Sequence, residues 1–207
     1  DEWLIIVNKP CNMPVHPSLN YYETSLSNGI KAYYIKNNIH KKIRPINRLD
    51  KDTTGIVMFA KSEYMQDNLK NYEKNYIALC AGKLEGSGII NKNIKRKTPS
   101  IIERCVCNSN EGEVAITEYN VLSNFKIDNN NYSLVKCTLK TGRTHQIRVH
   151  LSSIGHPILG DSLYGEKTML ISRQALHAYR IKFIHPVTKE EIEIIDEIPE
   201  DMQKLID

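Results

Sequence analysis

Leu139-Lys140-Thr141-Gly142-Arg143-Thr144-His145-Gln146-Ile147-Arg148-Val149-His150 compresses a strand end, a turn and a helix start into one short run. Leu139 ends an apolar stretch, and Thr141-Gly142 has turn chemistry. Thr144 reads as a helix N-cap. Ile147, Leu151 and Ile154 then recur at helical spacing, and Gly155 stops the helix. Outward from this run, strands are expected over residues 115–122 and 132–139, joined by a turn at Asn129-Asn130-Asn131. Downstream, residues 174–183 and 191–195 have strand composition, and residues 200–206 read as a short helix.

The N-terminal part also mixes strand and helix signals. Trp3 to Asn8 is an apolar strand stopped at Pro10, and residues 12–28 are rich in turn formers. A short helix is expected over 29–39, strands over 45–49 and 55–60, and a helix capped by Ser62 over 63–73. Tyr76 to Gly82 has strand composition, and residues 85–98 read as a polar loop. A strand follows over 101–106. Strands outnumber helices and do not alternate with them one for one. The expected class is therefore α+β, a largely antiparallel mixed sheet with flanking helices.

The chain has 207 residues, 41% hydrophobic and 25% charged, which suits one domain or two small subdomains. No stretch approaches the roughly 18 apolar residues of a membrane span. Asp1-Glu2-Trp3 lacks the basic start of a signal peptide, and no initiator Met marks Asp1 as a natural start. Five cysteines, Cys11, Cys80, Cys105, Cys107 and Cys137, form no regular framework, so a reducing compartment, the cytoplasm, is expected. Cys105-x-Cys107 has no second pair to complete a zinc site. A net charge of +4 permits a polyanionic partner without requiring one.

Two constellations can carry chemistry. In Arg48-Leu49-Asp50-Lys51-Asp52-Thr53-Thr54-Gly55, Arg48 and Asp50 share a face if the segment is extended. Pattern alone fits a polar connecting turn as well as a catalytic loop. In the second, Arg143 and the N–H groups of the helix start make an expected anion site. Arg148 lies about one turn in, on the side of Thr144 and His145. His145 and His150 are five apart, about 140° around a helix, which does not match the four-residue spacing of zinc-binding histidines. Each is expected to be a hydrogen-bonding or packing residue.

These residues carry a family resemblance. Arg48-Leu49-Asp50 followed by Thr53-Thr54-Gly55 resembles the catalytic motif of RluA-type pseudouridine synthases. Residues 142–150, continuing into Gly155-His156-Pro157-Ile158-Leu159-Gly160-Asp161, are similar to the second signature of that family. Asn8-Lys9-Pro10, Val15-His16-Pro17, Lys74-x-Tyr76, Ala115-x-Thr117 and Leu176-His177-Ala178 match in family order. Departures are Asn47, where the family usually has His, and Cys11-Asn12 after Lys9-Pro10. The resemblance implies a pseudouridine synthase catalytic fold over residues 1–207 as one domain, with two subdomains possible around a central cleft. The S4-like N-terminal domain of many relatives is not expected in this stretch.

By the same resemblance, the chain isomerises uridine to pseudouridine in ribosomal or transfer RNA. Asp50 is the nucleophilic carboxylate, Arg148 its ionic partner and Tyr76 the active-site tyrosine. Arg48 fills or props the stack left by a flipped nucleotide. Lys51, Arg143 and His145 are further RNA-contact candidates, while Lys92, Lys95, Arg96 and Lys97 fit a solvated loop better than an RNA path. No metal or organic cofactor is expected, and the partner is a structured RNA stem-loop bound by a monomer. Two rival readings are a metal-dependent nuclease using Asp50 and Asp52, and a non-catalytic RNA-binding module.

Overall fold

Chain order is β1 (Leu4–Lys9), α1 (Leu26–Lys36), β2 (Arg44–Pro45), β3 (Thr54–Ala60), α2 (Glu63–Asn68), β4 (Tyr72–Ala81), β5 (Ser87–Asn91), β6 (Asn93–Arg96) and β7 (Arg104–Cys107). There follow β8 (Ile116–Ile127), β9 (Asn130–Leu139), α3 (Gln146–Ser152), β10 (Leu176–Ile184), β11 (Glu191–Ile195) and α4 (Glu200–Ile206). The structure is a computed structural model that describes residues 1–99 and 102–207. The expected strand over 101–106 is β7, three residues later in onset, and Ile101 lies outside the described residues. The chain divides into two units, residues 1–73 with 178–197, and residues 74–177 with 198–207.

The first unit is organised on β3. All seven residues of Thr54–Ala60 are buried, which is why this strand reads as a continuous apolar run without alternation. β1 pairs antiparallel with it from Leu4↔Ala60 to Lys9↔Gly55, and β2 pairs through Arg44 and Pro45. β10 is its neighbour in the strand order, and β11 folds back on β10 as a hairpin. Leu4, Ile56, Met58, Ala60, Ile181 and Phe183 pack with Met65 and Leu69 into one core. Gly55 has φ +114°, and a Cβ there would sit 2.3 Å from the Ala178 carbonyl oxygen, so only glycine permits this approach.

α1 begins three residues earlier than its apolar pattern suggests. Ser25 caps it, and Asn28 completes a capping box. Leu26, Ile30 and Tyr34, four apart, form its buried face. Ser62 caps α2 as expected, but the helix stops at Asn68 rather than near residue 73, because Tyr72 and Glu73 already belong to β4.

The second unit contains the antiparallel order β4-β9-β8-β5 and a separate β6–β7 hairpin. The β8–β9 hairpin is longer than the sequence suggests. Its turn is Asp128-Asn129, with φ 46° and 64°, the two left-handed residues of a two-residue hairpin. In residues 123–127 the only apolar side chains, Phe125 and Ile127, are half-buried and alternate with exposed polar ones. The expected polar loop over 85–98 instead holds β5, an edge strand, and β6. α4 is anchored by buried Met202 and by a bidentate Arg173–Asp201 pair at 2.7 and 2.8 Å. Among the described residues, no helix is long and apolar enough to cross a membrane.

Candidate functional site

In the first unit, the segment before β3 is not a strand beyond Pro45, yet its burial alternates as an extended chain would. Asn47 and Leu49 are buried, Arg48 is exposed and Asp50 is half-buried. Asn47 substitutes for a pairing strand: its Nδ2 donates to the Ile56 carbonyl at 3.0 Å, and its Oδ1 accepts from Met58 N–H at 2.8 Å. The side chain that departs from the family pattern thus holds this segment against β3. Beyond Asp50 the chain turns, with Thr53 N–H donating to the Asp50 carbonyl at 3.1 Å.

Lys9 fixes the other side of this turn. It is fully buried, and its Nζ donates to the carbonyls of Pro10 and Met13 at 2.8 Å and of Lys51 at 2.9 Å. The Lys51 carbonyl also accepts from Met13 N–H at 3.1 Å. A buried ammonium needs such acceptors, because an uncompensated one costs several kcal/mol. The Lys51 side chain points elsewhere. Its Nζ donates to Tyr21 Oη at 3.2 Å and lies 3.7 Å from Asp52 Oδ2. The Tyr21 bond is the main reason that its pKa is raised. The His16 imidazole is pushed to lower pKa by burial and then by the Arg48 charge.

In the second unit, Tyr76 is a buried residue of β4, opposite Cys137 of β9. Lys74, two residues before it, projects to the same face, and burial lowers its pKa. The turn after β9 is locked by Gln146. Its Oε1 accepts from Thr141 Oγ1 at 2.8 Å and from Arg143 N–H at 3.0 Å, and its Nε2 donates to the Ile116 carbonyl and to Thr117 Oγ1 at 3.0 Å. This corrects two expectations. Thr144 is not the cap of α3: the cap position is His145, at φ 57°, with no side-chain cap bond. Nor is the helix start an open anion site, since Gln146 occupies the Arg143 N–H. The Arg143 guanidinium instead donates to the Val114 carbonyl at 3.0 Å and pairs with Glu113 at 2.9 Å.

Both histidines are hydrogen-bonded. His150 is fully buried, with Nε2 at 2.9 Å from the Lys92 carbonyl and Nδ1 at 2.9 Å from Thr117 Oγ1. A carbonyl only accepts, so Nε2 carries the proton and Nδ1 accepts from Thr117. Burial lowers the pKa of this imidazole. His145 Nδ1 lies 2.7 Å from Tyr164 Oη.

Arg148 is buried. Its Nε and Nη2 donate to Asp161 at 2.6 and 2.8 Å, and its guanidinium lies 5.1 Å from the Tyr164 ring centre. Asp161, with no exposed surface, also accepts from the backbone N–H of Leu163 at 3.0 Å and of Tyr164 at 3.2 Å. This bidentate clamp fixes the guanidinium plane. Lys9, Asn47, Gln146, Asp161 and Tyr164 are supports to which sequence reasoning gave no role. The signal available for Asp161 was its place in the Gly160-Asp161 end of the second motif.

The basic run is largely neutralised within the protein. Lys95 pairs with Glu111, Lys97 with Glu103 at 2.7 Å, and Lys92 Nζ donates to the Ser153 carbonyl at 3.2 Å. Among the described residues, no group of three or more His, Cys, Asp or Glu side chains is placed to hold a metal ion.

The sequence profile of the family described as RNA pseudouridylate synthase matches residues 3–153. The chain is 40% identical over 213 residues to the uncharacterized RNA pseudouridine synthase YhcT of Bacillus subtilis, covering 99% of this chain and 69% of that protein. It is 34% identical over 224 residues to the ribosomal large subunit pseudouridine synthase D of Zymomonas mobilis, covering 99% and 69%. The human RNA pseudouridylate synthase domain containing 1 shares the fold, with a TM-score of 0.76 at 24% identity over 95% of this chain and 80% of that one.

Proposed function

The chain belongs to the RNA pseudouridylate synthase family, and from that premise we propose that it isomerises a uridine of ribosomal RNA with Asp50 as the nucleophile. The relative named for the large ribosomal subunit supports the choice of RNA. The observation that carries the role of Asp50 is its support: buried Lys9 holds the neighbouring Lys51 carbonyl, and Asn47 straps the preceding segment to β3. A carboxylate on so fixed a loop is preorganised for one task. Asp50 attacks C1′ as the N1–C1′ bond breaks, the uracil turns, and C5 attacks C1′ and displaces the Asp50 carboxylate, while the C5 proton is transferred to N1 through solvent or a side chain.

Arg148, clamped by Asp161, has the part of ionic partner to that carboxylate. Tyr76 stacks on the detached uracil and assists removal of the C5 proton. Arg48, exposed beside Asp50, props the vacated stack, with Lys51, Arg143 and His145 as RNA contacts. The protein acts as a monomer in the cytoplasm. A nuclease using Asp50 and Asp52 is not favoured, because the family chemistry leaves the phosphodiester backbone intact and Asp52 lies beside the Lys51 ammonium. The test is hydrogen release from C5-tritiated ribosomal RNA by Asp50→Asn. The variant is expected to bind RNA and release none, and turnover above a trace removes Asp50 from the mechanism.

A further inference from the structure

Arg96 and Arg104 are directly paired across the β6–β7 hairpin. Like charges opposite each other on adjacent strands repel and destabilise a hairpin. Every other register pair of this hairpin is free of that conflict: Asn93 faces Cys107, Ile94 faces Val106, and Lys95 faces Cys105. Nearby cations have carboxylates of their own, Glu111 for Lys95 and Glu113 for Arg143. Among the described residues, neither Arg96 nor Arg104 has one. Arg96 reaches only the Pro99 carbonyl, at 3.3 Å. The Arg104 Nε is buried with no hydrogen-bond partner among the described residues, and a buried donor left unsatisfied is destabilising.

Arg96 and Arg104 both line one cavity of about 230 Å³, together with Lys95, Gly112, Glu113 and Arg143. Its walls are fixed. Arg104 N–H donates to Tyr164 Oη at 2.8 Å, and Asn93 Nδ2 holds the Ser109 and Glu111 carbonyls at 3.0 and 2.9 Å. Gly112, at φ +67°, brings its loop so close that a Cβ would lie 2.6 Å from the Ile94 carbonyl oxygen. A cavity of fixed shape, two guanidinium groups without counter-charges and an unmet donor together call for a small anion with several acceptor oxygens.

We propose that this cavity is a phosphodiester subsite that takes one backbone phosphate of the RNA substrate between Arg96 and Arg104. The bound phosphate supplies acceptors to both side chains and relieves their repulsion. The subsite rests on the reading of the chain as an enzyme acting on RNA. It contacts the backbone and so adds affinity without reading sequence.

The test measures binding of an unmodified ribosomal RNA transcript across a salt series. Arg96→Gln and Arg104→Gln are each expected to weaken binding about tenfold at low salt. Each also reduces the slope of log K against log salt by about 0.7–0.9. Because one phosphate is shared, the double variant loses no more slope than either single variant. Lys31→Gln, an exposed charge on α1, leaves the slope unchanged. Removing a repelling charge leaves the thermal stability of the RNA-free protein unchanged or raised. If Arg104→Gln fails to fold, exposed Arg96→Gln carries the test. Unchanged slopes, a slope loss shared by Lys31→Gln, or additive losses in the double variant overturn the proposal. Saturable binding of inorganic phosphate without an arginine effect on the RNA slope also overturns it, as a free-phosphate site. Asp50→Asn is run beside them: residual turnover there rejects the catalytic reading and leaves the slope result to be judged on its own.

Discussion

Arg148 and Asp161 form a buried pair, and the carboxylate also accepts from the backbone N–H groups of Leu163 and Tyr164. Removing one partner of such a pair strands the other charge, at a cost of about 3–5 kcal/mol. Asp161→Asn is therefore expected to lower unfolding free energy by that amount in urea titration, and to slow turnover because the guanidinium loses its fixed plane. A loss below about 1 kcal/mol, the scale of an exposed pair, contradicts the desolvated reading. Tyr76 poses a different question, since it is buried in β4 and also assigned to the uracil. Tyr76→Phe retains the ring. If the hydroxyl assists C5 deprotonation, the variant stalls after glycosidic cleavage while its stability stays within about 1 kcal/mol of the parent. A parent-like rate of C5-hydrogen release leaves only stacking to Tyr76. Arg148 and Tyr76 were nameable from the sequence because they sit in motifs. Asp161 was visible in a motif too, but its task is a contact made thirteen residues away.

At the scale of elements, the end of β1 controls the loop before β3 through a single side chain. Lys9→Met keeps the length and apolar stem and removes three donors. The Pro10, Met13 and Lys51 carbonyls are then left to find water, and the turn after Asp50 loosens. Stability is expected to fall by about 2–4 kcal/mol, from acceptors costing about 1–3 kcal/mol each with partial relief by water. Turnover falls as well, with the Met13 and Thr53 amides exchanging faster in hydrogen-exchange measurements, since their acceptors are Lys51 and Asp50 carbonyls. Unchanged protection of both amides rules out the anchoring role. Element ends were the least legible feature of the sequence. Ser25 and Asn28 cap α1 inside a stretch that reads as turns, and before α3, which has no side-chain cap, the Gln146 side chain fixes the preceding turn at Arg143 N–H. In both places a side-chain hydrogen bond across a turn, invisible to periodicity, sets the boundary.

For the molecule as a whole, charge limits how RNA is held. The net charge is +4, and most of the basic run at 92–97 is spent on internal partners. A few phosphate contacts then support binding, which predicts a salt slope of about −2 to −4. Recognition that relies on a flipped uridine and its near neighbours needs little distant RNA. An isolated stem-loop bearing the target site is thus expected to reach within about tenfold of the kcat/KM of the full RNA at matched salt, a gap of about 1.4 kcal/mol. A deficit of several orders of magnitude shows that distant RNA structure is required, and leaves the assignment of Asp50 intact.

Residue order alone determined the class of this protein. Strand-rich patterning without regular alternation gave α+β, and the two motifs around Asp50 and Arg148 gave the family, because both are local strings whose chemistry is written in consecutive residues. Tertiary structure decided what supports those residues. The Lys9 ammonium reaches Lys51 across 42 positions, and His150 reaches Lys92 across 58. It also decided that Arg96 faces Arg104, since strand register is set by which side chains can be buried and paired once the chain is folded. Buried polar groups must find partners wherever the fold puts them, and no local pattern specifies which ones they meet.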